Sequence, residues 1–183
     1  MFDHMPRSGL LRRLTVGMSM TLPRATELSG DDTTLIRSLY PKLRRFAGAV
    51  GPSEVDPDDL VQEALVRTIR RQPLHELEHP AAYLWKVMYR LAADHRRSLG
   101  RQRRALARIA EPEGTNPDYP SDLAELERLT PQARAVLYLH EVAGFSYAEV
   151  ATMLDAKESS LRRTASRARR ALRNVLEEAP DVA

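Results

Sequence analysis

The chain has 183 residues, a formal net charge of +3, and 43% hydrophobic, 29% charged and 5% aromatic residues. This is the mixture of a soluble folded protein with one medium or two small domains. The absence of cysteine excludes disulfides and thiolate metal sites and points to a reducing cytoplasm. No run reaches the roughly 20 apolar residues of a bilayer span.

Residues 1–30 read as a poorly ordered extension. Arg7, Arg12 and Arg13 precede a mixed stretch, Leu14 to Leu22, that is too short and broken for a secretory signal. With few aromatics the core must rest on Leu, Val and Ala, and with 8 glycines in all the bias is to an all-α fold. A first domain is expected over 31–99. Its first helix runs from Asp31, with Leu35, Leu39, Leu43, Phe46 and Val50 recurring every three to four residues. Pro41 is placed to kink it, and Gly51-Pro52 stops it. A second helix opens at Asp56-Pro57-Asp58-Asp59, where an N-cap aspartate, a proline at the first helical position and acids at the positive end of the dipole coincide. A loop, Gln72 to Pro80, leads to a third helix from Ala81 to about Arg97.

Residues 100–121 read as a linker whose start, Arg101 to Arg108, can extend a helix before Pro112, Gly114, Asn116, Pro117 and Pro120 crowd together. A second domain is expected over 122–178, with a tail at 179–183. Thr130-Pro131 opens a helix that ends near Gly144. Ser146 and Glu149 form a capping box for a short helix. A last helix runs from about Ser159 to Glu178. There is no internal repeat and no strand alternation.

Charge is segregated along the chain. Residues 54–63 hold five acids and no base, 86–104 hold seven bases against Asp94, and 157–173 hold seven bases against Glu158. Two separate basic blocks point to two nucleic-acid contacts, the alternative being two solvated helix faces. Residues 146–173 have the layout of a helix-turn-helix. In its last helix Leu161, Ala165, Ala168, Leu172 and Val175 form a core stripe, and Ser159, Ser160, Arg162, Arg163, Ser166, Arg167 and Arg170 fall largely off it. Residues near the helix start suit base edges, and later ones suit phosphates.

On the third helix Leu84, Val87, Met88, Leu91 and His95 share one face, with Trp85, Tyr89 and Arg96 about 120° away and Lys86, Arg90 and Arg97 beside them. Aromatics spaced i, i+4 and bordered by cations suit unstacked bases. Taken alone, the pair favours slightly the alternative, that Trp85 and Tyr89 pack under a neighbouring helix, since aromatics are usually core. On the second helix Asp59, Gln62 and Glu63 form an acidic face suited to a basic protein partner. Enzyme chemistry has little support. No Gly-rich loop cradles phosphate, and His75 and His79 lack companions for a metal site. His95 and His140 lie beside apolar residues and read as structural.

Asp59-Leu60-Val61-Gln62-Glu63, Tyr83-Leu84 through Asp94-His95, and Leu129-Thr130-Pro131 through Arg169 together resemble the extracytoplasmic-function sigma factors of bacteria. The most specific stretch is Glu141 to Ala151, with its Gly144, Ser146, Tyr147 and Glu149. The resemblance implies a non-catalytic, cytoplasmic promoter-specificity subunit without cofactor, metal or membrane insertion. Its partners would be core RNA polymerase and promoter DNA, and an anti-sigma factor is a plausible further one. Asp59, Leu60, Gln62 and Glu63 would dock on the clamp helices of the largest subunit. Trp85, Lys86, Tyr89, Arg90, Arg96 and Arg97 would hold and melt the minus-ten element. The linker would thread toward the active-site cleft. Ser159, Ser160, Arg162, Arg163, Ser166, Arg167 and Arg170 would enter the groove at the minus-thirty-five element, with the rest of that domain on the flap. The chain departs from the family pattern at Met88-Tyr89-Arg90, at Ser159-Ser160-Leu161 and at Arg162-Arg163-Thr164-Ala165, so an atypical promoter is expected. Two rivals are a stand-alone helix-turn-helix regulator, which binds duplex DNA unaided as a dimer, and a sigma mimic that sequesters an anti-sigma factor.

Overall fold

The computed structural model describes residues 29–106 and 128–178, with side chains as far as Asn174. The expectations for the extension, most of the linker and the tail, and for the side chain of Val175, lie outside the described residues. Among the described residues six α-helices form two sets: α1 (Gly30–Val50), α2 (Pro57–Ile69) and α3 (Pro80–Leu106), then α4 (Pro131–Leu137), α5 (Tyr147–Leu154) and α6 (Glu158–Glu178). No strand occurs among the described residues.

In the first set the ends follow from local chemistry. The Ser29 hydroxyl caps α1 by accepting from the Asp32 N–H at 3.1 Å. The helix continues through Pro41; Pro41 and the Arg37 carbonyl it leaves without a donor are on the exposed side. Gly51 closes α1, its N–H donating to the Ala47 carbonyl at 2.7 Å. A Cβ at Gly51 would stand 2.7 Å from that same oxygen, so no larger residue fits there without backbone movement. Asp56 caps α2 at the Asp58 N–H, 2.7 Å away, with Pro57 at the first helical position. Leu43, Phe46 and Val50 of α1, Leu60, Val61 and Ala64 of α2, and Leu84, Met88 and Leu91 of α3 are buried together. At the rim, Asp58 accepts from Tyr40 and Arg44 at 2.9 Å each. The third helix takes up the extension that the sequence allows from Arg101 onward. It continues past Arg97 to Leu106, because helix formers follow Gly100 and no proline intervenes before Pro112.

The loop between α2 and α3 carries a 3-10 turn, Leu74–Glu76, pinned to α1. The Asp32 carboxylate, almost fully buried, accepts from the His75 N–H at 2.9 Å and lies 2.8 Å from its Nδ1. Burial pushes the Asp32 pKa up, but the His75 side-chain and backbone hydrogen bonds outweigh it and hold the group below 3.8. The Asp32 hydrogen bond raises His75 above 6.5. Asp32 therefore stabilises the fold above pH 3.8, and its contribution fades as pH falls through its lower folded value. The His75 contribution is complete below pH 6.5 and fades as pH rises through its higher folded value. Urea unfolding between pH 3 and 9 should show this contribution greatest between those limits. His75→Ala should flatten the alkaline decline.

In the second set Thr130 caps α4 at the Ala133 N–H, 3.2 Å away. The chain then widens into a π turn, Tyr138–Val142, and leaves through Gly144 at φ +78°. The capping box of α5 is present. The Ser146 N–H and hydroxyl donate to Glu149 Oε2 at 2.8 and 2.7 Å, and the Glu149 N–H returns to Ser146 Oγ at 3.3 Å. Because the Glu149 carboxylate is buried, Ser146→Ala should cost about 1–2 kcal/mol in urea unfolding. Asp155, in the left-handed region at φ +54°, turns the chain into α6. Leu161, Ala165 and Ala168 of α6 are buried, and Leu172 packs partly against them.

The two sets share a core. α1 packs on α4 and α3 on α5, and the Tyr138 hydroxyl donates to the Lys42 carbonyl at 2.9 Å.

Candidate nucleic-acid interface

The residues expected at three surfaces have different surroundings. On α2, Asp59 and Gln62 are exposed. Glu63 is half-buried and tied, with Oε2 2.8 Å from His95 Nε2 and Oε1 accepting from Arg67. Leu60 is a correction: at 1% exposure it belongs to the core and cannot form a contact surface. The one-turn spacing from Leu60 to Ala64 already placed both on the inner face. His95, read as structural among apolar residues, proves to be the partner of Glu63.

On α3 Trp85 is buried and Tyr89 is half-buried in this arrangement. Trp85 is 5% exposed. It packs edge-on against Phe145 with ring centroids 5.5 Å apart, and against Tyr138 at 6.3 Å and Phe46 at 6.2 Å. Phe46 and Tyr138 also meet, at 5.2 Å. The indole N–H, though buried, finds no acceptor among the described residues. Such an orphan costs about 1–3 kcal/mol, so the closed arrangement does not satisfy every group it covers. Tyr89 is half-buried, and burial raises its pKa. Lys86 is half-buried too, and its pKa is lowered by burial and then by Arg90. Arg96 donates to the Val50 carbonyl, with its pKa lowered by burial and then by Arg134. Arg90 and Arg97 are exposed, Arg97 pairing with Asp94. The continuation of α3 adds Arg101 and Arg104, which line an open cavity of about 500 Å³ with Arg97. Arg103 pairs with Glu54.

On α6, Ser159, Arg162, Arg163, Ser166, Arg167 and Arg170 are exposed and Ser160 is half-buried. Arg162 and Arg169 are engaged by carboxylates, Arg162 with Glu158 and Arg169 with Glu141. Glu158 lies four residues before Arg162, and that spacing is a legible pairing signal. The helix-turn-helix geometry is present, with α5, a turn through Asp155 and Lys157, and an arginine-rich α6. Among the described residues no cluster of three His, Asp or Glu side chains could hold a metal. No described helix is long and apolar enough to cross a membrane.

Comparison with known proteins places both helical sets. Residues 35–102 match the family model "Sigma-70 region 2", and residues 123–172 match "Sigma-70, region 4". The probable ECF RNA polymerase sigma factor SigI of Mycobacterium tuberculosis is 32% identical over 142 residues, covering 69% of this chain and 47% of SigI. The ECF RNA polymerase sigma factor SigL of the same organism is 28% identical over 173 residues, covering 86% of this chain and 97% of SigL. The chain thus spans about half the length of the first of these relatives and nearly all of the second. The fold resembles the sigma factor RpoE from Bartonella quintana, solved in complex with the anti-sigma factor NepR. There the TM-score is 0.66 at 19% identity, covering 82% of this chain and 99% of that one. The two matches fall on the two helical sets in chain order, and the chain belongs to the extracytoplasmic-function sigma factors of the sigma-70 family.

Proposed function

We propose that the chain is a promoter-specificity subunit of bacterial RNA polymerase, working in the cytoplasm and catalysing no reaction itself. One observation carries this reading: each helical set presents an arginine-rich helix, α3 or α6, while α2 of the first set exposes carboxylate and amide groups at Asp59 and Gln62. Cations at two separated surfaces suit two stretches of one DNA. An anionic ridge suits the basic surface of a protein partner. In this reading α3 engages the minus-ten element through Trp85, Tyr89, Lys86, Arg90, Arg96 and Arg97, and α6 enters the major groove at the minus-thirty-five element. Asp59, Gln62 and Glu63 grip the polymerase clamp. Engagement of a base by Trp85 requires Phe145 and Tyr138 to leave its faces, so the closed form is the resting form. RpoE of Bartonella quintana was crystallised with an anti-sigma factor, and we extend the reading to a protein inhibitor that holds the two helical sets together.

The test is transcription in vitro with purified core polymerase, with transcript starts mapped after overexpression. Specific starts that depend on the chain are expected. Tight binding of duplex oligonucleotides without polymerase, with no co-purification, would instead mark a stand-alone regulator. Asp59→Ala with Gln62→Ala should weaken holoenzyme assembly by about thirtyfold. Two polar contacts at about 1 kcal/mol each suffice for that, and competition for core against the unaltered chain measures it.

A further inference from the structure

The arginines of α6 do not stand in equal surroundings. Arg162 donates from both Nε and Nη2 to Glu158 Oε1, at 2.8 and 2.6 Å. Its guanidinium carbon also lies 4.8 Å from the centroid of the Tyr147 ring. Tyr147, on α5, is buried and stacks on His140 with centroids 4.0 Å apart. His140 in turn lies with Nδ1 2.7 Å from the Phe145 carbonyl. Arg169 donates from Nη1 to Glu141 Oε1, in the π turn, at 2.7 Å. Its pKa is raised by Tyr147 first and by Glu141 as well. Arg163, Arg167 and Arg170 make no ion pair among the described residues. At 100° per residue these three fall within about 60° of one another, on the side away from Leu161, Ala165 and Ala168. Ser159 and Ser160 border them, and Arg162 and Arg169 lie about 100–120° round.

We propose that Arg162 and Arg169 are positioning residues. They mask Glu158 and Glu141 from the DNA, leaving Arg163, Arg167 and Arg170 as the face that meets duplex DNA. The assignment rests on the function proposed above. An isolated exposed i, i+4 pair is weak. Arg162 has a carboxylate on one side and an aromatic ring on the other, and that ring belongs to a different helix. The Glu158–Arg162 pair has no net charge and therefore releases no counterion on DNA binding. Each unpaired arginine that reaches a phosphate does.

The test uses holoenzyme assembled from core polymerase and the full chain, with a pool of promoter duplexes randomised in the upstream element. Affinity is measured against salt, and base preference by sequencing the bound fraction. R163A and R167A should each either flatten the salt slope by about 0.9 or erase preference at one base pair by about 5- to 150-fold. R162A should lower affinity about fivefold, the size of one unmasked surface charge, equally across the pool. The double variant E158Q/R162A should restore affinity and slope to within about twofold of the unaltered chain. A changed base preference in R162A, or failure of E158Q to rescue it, overturns the assignment. An unaltered holoenzyme that selects no sequence overturns the proposed function and this assignment with it. Selection by the unaltered chain combined with failed rescue overturns this assignment alone.

Discussion

Trp85→Ala should lower the free energy of unfolding by about 3–5 kcal/mol, the range for truncating a buried large aromatic. That is a large share of the 5–15 kcal/mol that holds a typical domain together. The indole is 5% exposed and touches rings from α1, from the π turn and from the loop before α5. Its removal therefore leaves a void that both helical sets line. Urea unfolding measures the loss, and a cost below about 1 kcal/mol would show that the void collapses or that the site is open to water. Tyr89→Ala should cost less, because Tyr89 is only half-buried. In holoenzyme the two substitutions should part company from stability. If both side chains stack on bases, they should slow promoter melting more than they weaken closed-complex binding. Equal loss at both steps would remove the stacking role.

The second large effect concerns the closed arrangement. Tyr138→Ala with Phe145→Ala removes the three ring pairs that join the helical sets: Phe46–Tyr138, Trp85–Tyr138 and Trp85–Phe145. At about 0.5–1.5 kcal/mol per pair, the opening equilibrium should shift by about ten- to a thousandfold. It also removes the bond from the Tyr138 hydroxyl to the Lys42 carbonyl. Trp85 is the only tryptophan, so its emission reports opening without a label. The variant should emit to the red of the unaltered chain and be quenched more readily by acrylamide. Unchanged quenching would mean that these rings do not hold the sets together. Because neither residue belongs to the proposed DNA-contacting set, holoenzyme made with this variant should still initiate.

Much of this architecture was legible because it is local chemistry. Asp56-Pro57, Thr130-Pro131 and the Ser146–Glu149 box each set a helix start within a few residues of sequence, and each is found where it was expected. The Leu161, Ala165 and Ala168 stripe also needed only the helical period. The surroundings of Trp85 were a different matter. The helical wheel set it about 120° from the main apolar face of α3, which allows a base or a second protein surface. The choice is made by Phe145, sixty residues further along the chain, which no periodicity connects to it. The π turn was hidden for the same reason, since nothing in Tyr138 to Val142 departs locally from a helical pattern. His95 looked apolar by position and is polar by partner, because Glu63 arrives from another helix. Leu60 came into the polymerase-facing set through family resemblance, while its own spacing put it inside.

The hydrogen bond from Tyr138 to Lys42 joins residues 96 apart in the chain, whereas each three-helix set is built from much nearer neighbours. Loop-closure entropy and contact order therefore separate the timing of the two events. Each set collapses early on its own short loops, and docking of one on the other follows as a slower, unimolecular step. On the ribosome α1 to α3 emerge before Phe145 does. For that interval the side of the indole that Tyr138 and Phe145 later cover faces water, and the nascent chain passes through the open form before it first closes.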